Sequence, residues 1–343
     1  MFQRILVPLD GSTHAERALP VALRLVRASG GSLLLLRAVN TATDFWPFVP
    51  DKASLVQTAV GSEETEARQY LAHVLVTLHE PDLAVETVVQ VGPAASTILA
   101  EATSLQADLI VMCSRGSTSL VRLLMGSVTR EVARHSTVPV LVLREGAPLP
   151  AGPHPDVGRP MRVLVPLDGS SHAKAALVSA ASLAMALAAP APPALHLTRV
   201  VKPLPTNHEQ DEVYLERTRM FQRTKEYLQR TAEHLREGWS VPEFAHVAPI
   251  ITWSVVPDAD VAAAILRVAE TGEDTEGVSP FGGCDVIAMS THGYSGLSLL
   301  TIGSITEHVL NASNLPLLIV RPTPHTDGKP ADWMKTTLDA FPV

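Results

Sequence analysis

The sequence predicts an α/β protein of two similar domains, each a five-stranded parallel sheet with helices on both faces. Three observations support this fold class. The chain of 343 residues has room for two domains of ordinary size. Apolar residues make up 46% of it, enough for two buried cores, and the 4% of aromatic residues indicates that these cores are aliphatic. The third observation is an internal repeat.

Two copies of one pattern begin at Ile5 and at Val163. ILVPLDGSTHAERAL and VLVPLDGSSHAKAAL are identical at 11 of their 15 positions. A second matched pair, DLIVMCSRGSTSLVRLLMGSVTREV and DVIAMSTHGYSGLSLLTIGSITEHV, begins at Asp108 and at Asp285. Because the matched stretches stand near the start and near the end of each half, the repeat unit is a whole domain rather than one turn of a solenoid.

Strands and helices alternate along the first half. The strands are near-continuous runs of Val, Leu and Ile, typical of a parallel sheet buried on both faces. The predicted strands are 3–9, 31–39, 83–91, 108–113 and 139–143, and the predicted helices are 12–29, 62–79, 94–105 and 126–136. The second half repeats this order, with a longer helix near 208–237.

The repeat also sets the domain bounds. We predict a first domain at 1–145, a linker rich in proline and glycine at 146–160, a second domain at 161–322 and a tail at 323–343. The second copy is longer, and most of its additional residues lie around 271–283, a polar insertion between a helix and a strand.

Charge, apolar content and cysteine usage exclude several classes of function. The formal net charge of −8 argues against a nucleic-acid-binding protein, which ordinarily carries a basic surface. Residues 175–198 lack Asp, Glu, Lys and Arg, but three prolines interrupt them, and the repeat predicts a core helix and a strand there rather than a membrane span. The two cysteines, Cys113 and Cys284, form no disulfide framework, and the N-terminus does not have the pattern of a signal peptide. The sequence therefore predicts a cytoplasmic protein with neither a membrane nor a nucleic-acid partner.

One aspartate follows the first strand of each half, Asp10 in the first and Asp168 in the second. In an open parallel sheet, ligands bind at the carboxyl ends of the strands, where the winding reverses. A carboxylate there can accept a hydrogen bond from an exocyclic amine or a ribose hydroxyl. Asp-Gly-Ser equally favours a turn or a helix N-cap, so a ligand role and a structural role both stay open. At the ends of the second strands, the backbone groups of Val39 and Val200 are candidates for pairing with a base edge.

The loop after the fourth strand carries glycines at the same spacing in both halves. Gly116 is followed by Gly126-Ser127, and Gly293 is followed by Gly303-Ser304. Each Gly-Ser pair begins the next helix, where backbone N–H groups without an intervening side chain form an anion site. The alternative is an ordinary Gly-Ser helix start without a ligand. The recurrence of the glycine spacing in both halves favours a phosphate site.

These residues resemble the universal stress protein family in its tandem form, over about 1–144 and 161–322. The resemblance implies a Rossmann-like fold of the adenine nucleotide alpha hydrolase type. ATP-binding members of that family carry G-x2-G-x9-G-(S/T) after strand four and an Asp after strand one that contacts adenine. It therefore implies two sites for ATP, ADP or AMP, with Mg²⁺ as a candidate companion ion, and a regulatory role in the stress response. By that resemblance one site comprises Asp10, Gly116, Gly126 and Ser127 and the other Asp168, Gly293, Gly303 and Ser304; by position, Val39 and Arg115 join the first, and Val200 and His292 the second.

The chain departs from the family pattern at the first motif glycine, which is Cys113 in one half and Ser290 in the other. A Cβ there would weaken binding if the position required a positive φ or close backbone approach. The two loops also differ in charge: Arg115 and Arg122 in the first half correspond to His292 and Leu299 in the second. Since arginine suits phosphate oxygens, one hypothesis is that the first site prefers ATP, and the alternative is that both arginines are merely solvated.

The resemblance implies a nucleotide-binding regulatory protein. An enzyme is less favoured, because the sequence contains neither a P-loop nor an evident catalytic or metal-ligating set. A slow ATPase and an interaction scaffold with decayed sites remain alternatives. The last strands, 139–143 and 316–320, lie at sheet edges, and an apolar edge must be covered or paired. Family members pair through this strand, so the resemblance implies that the two halves associate within one chain, and it leaves a homodimer of the chain open.

Overall fold

The computed structural model describes residues 2–40, 52–114, 125–146, 150, 159–203, 211–238, 248–275, 278–292 and 302–322. The chain forms two compact units, Met1–Gly152 and Pro153–Val343. The division between them falls inside the segment predicted as the linker. The predicted tail lies outside the described residues.

Five parallel strands form the sheet of the first unit. They are β1 (Arg4–Pro8), β2 (Ser32–Val39), β3 (Ala84–Val91), β4 (Leu109–Cys113) and β5 (Val140–Leu143), in the order β3-β2-β1-β4-β5. Four of them are runs of Val, Leu and Ile whose central residues are buried, as expected for strands covered on both faces. The predicted α/β class with a five-stranded parallel sheet is confirmed in this unit.

The helices of the first unit depart from the prediction at two places. They are α1 (Thr13–Glu16), α2 (Ala18–Ser29), α3 (Lys52–Leu78), α4 (Ala94–Ser104) and α5 (Ser127–His135). The predicted helix 12–29 is interrupted at Arg17, because Pro20 has no N–H to donate to the carbonyl four residues earlier. Helix α3 begins ten residues before the predicted position 62, in a segment whose β-branched residues and Gly61 are weak helix formers.

The second unit repeats this topology. Its elements are β6 (Arg162–Pro166), α6 (Ser171–Ala188), β7 (Ala194–Val201), α7 (Asp211–Gly238), β8 (Ile250–Pro257), α8 (Val261–Thr271), β9 (Glu273–Thr275), β10 (Val278–Phe281), β11 (Val286–Ser290), α9 (Ser304–Ala312) and β12 (Leu317–Val320). Its parallel sheet has the order β12-β11-β6-β7-β8. The polar insertion predicted around 271–283 contains β9 and β10, an antiparallel pair that the sequence analysis did not predict.

The strand order places a reversal of winding at the same point in both units. From β1 the chain proceeds outward to β2 and β3, then returns to β4 on the other side of β1. Right-handed crossovers therefore put α2 and α3 on one face of the sheet and α4 and α5 on the other, and α4 does pack against α5. The reversal lies between β1 and β4, and in the second unit between β6 and β11.

Within the described ranges of the chain, one helix, α6, is long and apolar enough to cross a membrane by length and composition. Ten of its side chains are buried, and it packs against β6 and β11 of its own unit. It follows β6 as α1 and α2 follow β1. Its apolar character is therefore accounted for by the core of an α/β unit.

A buried polar network distinguishes the sheet of the second unit. His196 on β7 is fully buried, and its ring forms hydrogen bonds with Thr252 Oγ1 (Nδ1, 2.8 Å) and Ser254 Oγ (Nε2, 3.0 Å). Arg162 Nη1 also donates to Thr252 Oγ1, at 3.1 Å. The corresponding position of His196 in the first unit is Leu34, because Leu6 pairs with Leu34 as Leu164 pairs with His196. Burial, aided by the nearby Arg162 charge, lowers the pKa of His196 to about 3.

We predict that the second unit loses stability on acidification because of His196. Its folded pKa is about 3 and its unfolded pKa about 6.5, so below pH 6.5 protons bind the unfolded state preferentially. The free energy of unfolding then falls by about 1.4 kcal/mol per pH unit as pH drops from 6.5 toward 3. His196→Leu, which copies Leu34, is expected to remove the contribution of one proton to this slope, about 1.4 kcal/mol per pH unit. Denaturant titrations from pH 7 to pH 4 measure the slope, and NMR titration of the ring reports the pKa; a midpoint near 6.5 would contradict the prediction.

Candidate functional site

Each candidate aspartate organises the turn between the first strand and the first helix of its unit. Asp10 Oδ1 accepts hydrogen bonds from the backbone N–H (3.0 Å) and the hydroxyl (2.5 Å) of Ser12. Asp168 Oδ1 accepts the same two bonds from Ser170, at 2.9 and 2.6 Å. Each serine in turn caps the following helix through its hydroxyl oxygen. Both carboxylates therefore have a structural role, and both are half-buried at the carboxyl edge of the sheet.

The two Gly-Ser pairs begin α5 and α9, directly beside the ends of β4 and β11. Gly126 donates its N–H to the carbonyl of Ser114 at 2.8 Å, and Gly303 donates to the carbonyl of Thr291 at 2.7 Å. A Cβ on Gly303 would lie 3.2 Å from that same carbonyl oxygen, so the position suits glycine. The helix start is thus held against the strand end by one backbone hydrogen bond in each unit.

A threonine in the first turn of each helix strengthens this attachment. Thr129 Oγ1 donates to the carbonyl of Cys113 at 2.9 Å, and Thr306 Oγ1 donates to the carbonyl of Ser290 at 2.9 Å. Neither helix has a side-chain cap at its N-terminus, in contrast to the serine-capped α1 and α6. Backbone N–H groups at an uncapped helix start can bind an anion.

The residues that replace the first motif glycine cause no backbone strain. Among the described residues, the positive φ angles of residues other than glycine belong to His79 and Gln106, so Cys113 and Ser290 are free of that penalty. The Cys113 Sγ lies 4.0 Å from the carbonyl oxygen of Ala15. The Ser290 hydroxyl accepts a long hydrogen bond, 3.4 Å, from the N–H of His292.

An arginine and a tyrosine lie near the aspartate turn in both units, and neither was predicted as a site residue from the sequence. In the first unit Arg37 lies 5.8 Å from the centre of the Tyr70 ring, and in the second Arg199 lies 5.4 Å from that of Tyr227. Arg37 Nη1 also donates to the carbonyl of Leu9, at 3.3 Å. The signal was present, since each arginine follows the residue that pairs with Pro8 or Pro166 and so stands at the same register position of the second strand.

The family model described as the universal stress protein family matches residues 1–144 and 281–321, more than half of the chain. The chain belongs to the universal stress protein family. A universal stress protein of Bacillus subtilis is 30% identical over 148 residues, 42% of this chain and 100% of that protein. One of Thermus aquaticus is 33% identical over 146 residues, again 42% of this chain and 100% of the relative. These relatives are therefore about one unit long.

Solved structures show the same fold over most of the chain. A universal stress protein of Archaeoglobus fulgidus aligns with a TM-score of 0.57 at 18% identity, covering 93% of this chain and 98% of that one. A protein of unknown function from Pseudomonas aeruginosa aligns with a TM-score of 0.58 at 17% identity, covering 98% of this chain and 96% of that one. At these identities the likeness concerns the fold alone.

Some of the remaining predicted site residues of this universal stress protein lie within the described ranges, and others lie outside them. Val39 ends β2, and its carbonyl accepts from the N–H of Gly92 at 2.9 Å. The sheet register matches Val39 with Val201 rather than with the predicted Val200, because Pro8 pairs with Leu36 whereas Pro166 pairs with Thr198. His292 is buried, and its Nδ1 forms a 2.9 Å hydrogen bond with the Thr291 hydroxyl. The predicted loop residues outside the described part of the chain are Arg115, Gly116, Arg122, Gly293 and Leu299.

Cys113 is predicted to be unreactive in the folded protein. Burial raises its pKa to about 12, and burial likewise raises the pKa of Cys284 to about 12, so both thiols are protonated at neutral pH. At pH 8 the thiolate fraction, and with it the rate of alkylation by iodoacetamide, is expected to be roughly a thousandfold lower than in denaturant. Mass spectrometry measures the rate of alkylation, and the Cys113→Ser variant, which copies Ser290, shows which part of it belongs to Cys113. Rapid alkylation of native Cys113 would contradict this prediction.

Proposed function

We propose that each unit of this universal stress protein binds one adenine nucleotide, and that the chain acts as a nucleotide-responsive regulator of the stress response in the cytoplasm. One observation carries the proposal: both units place an Asp-Gly-Ser turn and an uncapped Gly-Ser helix start on adjoining strands at the reversal of winding. This is where open parallel sheets bind ligands.

The division of roles within the proposed site follows from chemistry. The first-turn N–H groups that begin at Ser127 and at Ser304 donate to the phosphate chain, and the helix dipole favours its negative charge. The carboxylates of Asp10 and Asp168 accept from the nucleoside. The family resemblance assigns Gly116 and Gly293 to the same phosphates, with Arg115 and His292 beside them.

Phosphate oxygens would supply most of the coordination for Mg²⁺. Among the described residues, no group of three His, Cys, Asp or Glu side chains lies close enough to hold a metal ion. ATP, ADP and AMP share the features that this arrangement recognises, a nucleoside and a 5′-phosphate. Recognition of these features requires no residue that activates water. The role we propose is regulation through nucleotide occupancy.

We also propose that the two units pair within the chain through their terminal strands β5 and β12, since each ends the strand order of its unit and consists of buried aliphatic residues. A homodimer of the whole chain would extend this arrangement. Stress-regulated partner binding would then respond to nucleotide occupancy of either unit.

Substitution of the first helical serine by proline tests the phosphate site. Ser127 and Ser304 occupy the first position of α5 and α9. Proline is favoured at this position, and the preceding glycines have the extended backbone that proline requires (φ −61°, ψ 149° and φ −64°, ψ 149°). Ser127→Pro and Ser304→Pro therefore remove an N–H donor while preserving the helix.

Each variant is expected to weaken ATP binding in its own unit by about ten- to a hundredfold, the value of one charge-assisted hydrogen bond. Isothermal titration calorimetry on the full chain gives the number of sites and their affinities. Ser127→Ala and Ser304→Ala are the matched controls, since they remove the hydroxyl and keep the N–H. Wild-type ATP affinity in the double proline variant, with an unchanged melting temperature, would refute the proposed site.

A further inference from the structure

A cluster of two cations and a tyrosine lies beside Asp168 in the second unit. Lys174 Nζ lies 5.3 Å and Arg199 Cζ 5.4 Å from the centre of the Tyr227 ring. Lys174 is in the first turn of α6, Arg199 near the end of β7, and Tyr227 on α7. The Arg199 guanidinium also closely approaches Gly169, where a Cβ would lie 2.9 Å from Nη1. The cluster therefore adjoins the Asp168 turn at the carboxyl edge of the sheet.

The Tyr227 hydroxyl is the second notable feature of this cluster. Its oxygen is buried, and no described residue accepts a hydrogen bond from it; the nearby Thr231 hydroxyl donates to the Tyr227 carbonyl at 2.8 Å. Burial raises the pKa of Tyr227 to about 12, so the hydroxyl keeps its proton and can donate it. A buried donor without an acceptor is costly, and a bound anion would remove that cost. Burial also lowers the pKa of Lys174, an effect that a bound anion would oppose.

The corresponding cluster of the first unit is satisfied internally. Glu16 stands at the position of Lys174, and the Tyr70 hydroxyl donates to Glu16 Oε1 at 2.9 Å. Arg37 donates to the carbonyl of Leu9. One residue of the repeat differs from acid to base. With the adjoining aspartate counted, the formal charge of Lys174, Arg199 and Asp168 is therefore +1, whereas that of Glu16, Arg37 and Asp10 is −1.

Asp168 separates this cluster from the helix start proposed to hold the 5′-phosphate. Arg199 lies on β7, Asp168 follows β6, and Gly303 is attached to the end of β11, while the sheet places β6 between β7 and β11. Neighbouring strands lie about 4.8 Å apart, so β7 and β11 are separated by roughly 10 Å. The second unit thus has a positive feature on each side of the carboxylate.

We propose that Lys174, Arg199 and the Tyr227 hydroxyl form a second anion subsite, which selects an adenine nucleotide carrying a phosphate on its ribose ring in addition to the 5′-phosphate. This rests on the proposed nucleotide site of the same unit. Lysine and arginine supply charge-assisted hydrogen bonds to phosphate, and partial burial strengthens them relative to a fully solvated pair. In the first unit Glu16 offsets the charge of Arg37, so this unit accepts nucleotides with a 5′-phosphate alone.

The test compares AMP with adenosine 3′,5′-bisphosphate and adenosine 2′,5′-bisphosphate by isothermal titration calorimetry on the full chain. In the wild type, one site is expected to bind at least one bisphosphate tenfold or more tightly than AMP. Lys174→Glu, which copies Glu16, is expected to abolish this preference and leave AMP affinity within about threefold. Glutamate is favoured in the first turn of a helix, so α6 should tolerate it. Lys174→Arg is the conservative control and should keep the preference, and Glu16→Lys is expected to create it in the first unit.

The outcomes separate this inference from the proposed function. If AMP binds and neither bisphosphate binds more tightly, or if Lys174→Glu keeps the preference, the subsite is refuted and the nucleotide site stands. If AMP does not bind but a bisphosphate does, in a manner that Lys174→Glu abolishes, the subsite stands and the 5′-phosphate site fails. If none of the three binds at millimolar concentration, both fail.

Discussion

Parallel pairing of β1 with β4, and of β6 with β11, is the constraint on which the candidate sites depend. In a parallel sheet all carboxyl ends reach the same edge, so residues distant in sequence meet without any dedicated contact. Asp10 and Gly126 belong to loops on neighbouring strands for this reason, as do Asp168 and Gly303. The local hydrogen bonds then refine the arrangement: the aspartate fixes its turn, and the glycine N–H and the first-turn threonine attach the following helix to its strand.

The repeat and the periodicity were sufficient to predict the fold class and most element bounds, because buried aliphatic strands such as LLLL in β2 admit few alternatives. Contacts between a helix and a strand that are distant in sequence were not predictable. Tyr70 and Tyr227 reach Arg37 and Arg199 only because α3 and α7 pack beside the second strand of their sheets. The short β9–β10 pair was missed because each strand is brief, and the match of Val39 with Val200 was off by one because the second copy is four residues longer between its first two strands.

The two units conserve backbone geometry and differ in side-chain chemistry. The Asp-Ser turn, the glycine N–H bond and the threonine anchor agree within 0.1 Å in their hydrogen-bond lengths. In contrast, Leu34 corresponds to a buried histidine network and Glu16 to Lys174. A duplicated scaffold can vary at such positions because neither substitution touches the bonds that hold the turn and the helix start. Divergence of this kind changes the chemistry of one unit relative to the other while the fold is kept.

The attachment of α5 to β4 has a consequence for how the family can vary. Ser114 and Gly126 are joined by a 2.8 Å hydrogen bond, so the residues between them form an insertion whose two ends are already fixed together. The scaffold already holds the two ends of that segment together, and the entropic cost of closing a loop depends only weakly on its length. A change of sequence within this segment therefore leaves the attachment of α5 to β4 in place and has no cost to the core. The same holds between Thr291 and Gly303, so the two loops can diverge in chemistry while both helices keep their positions.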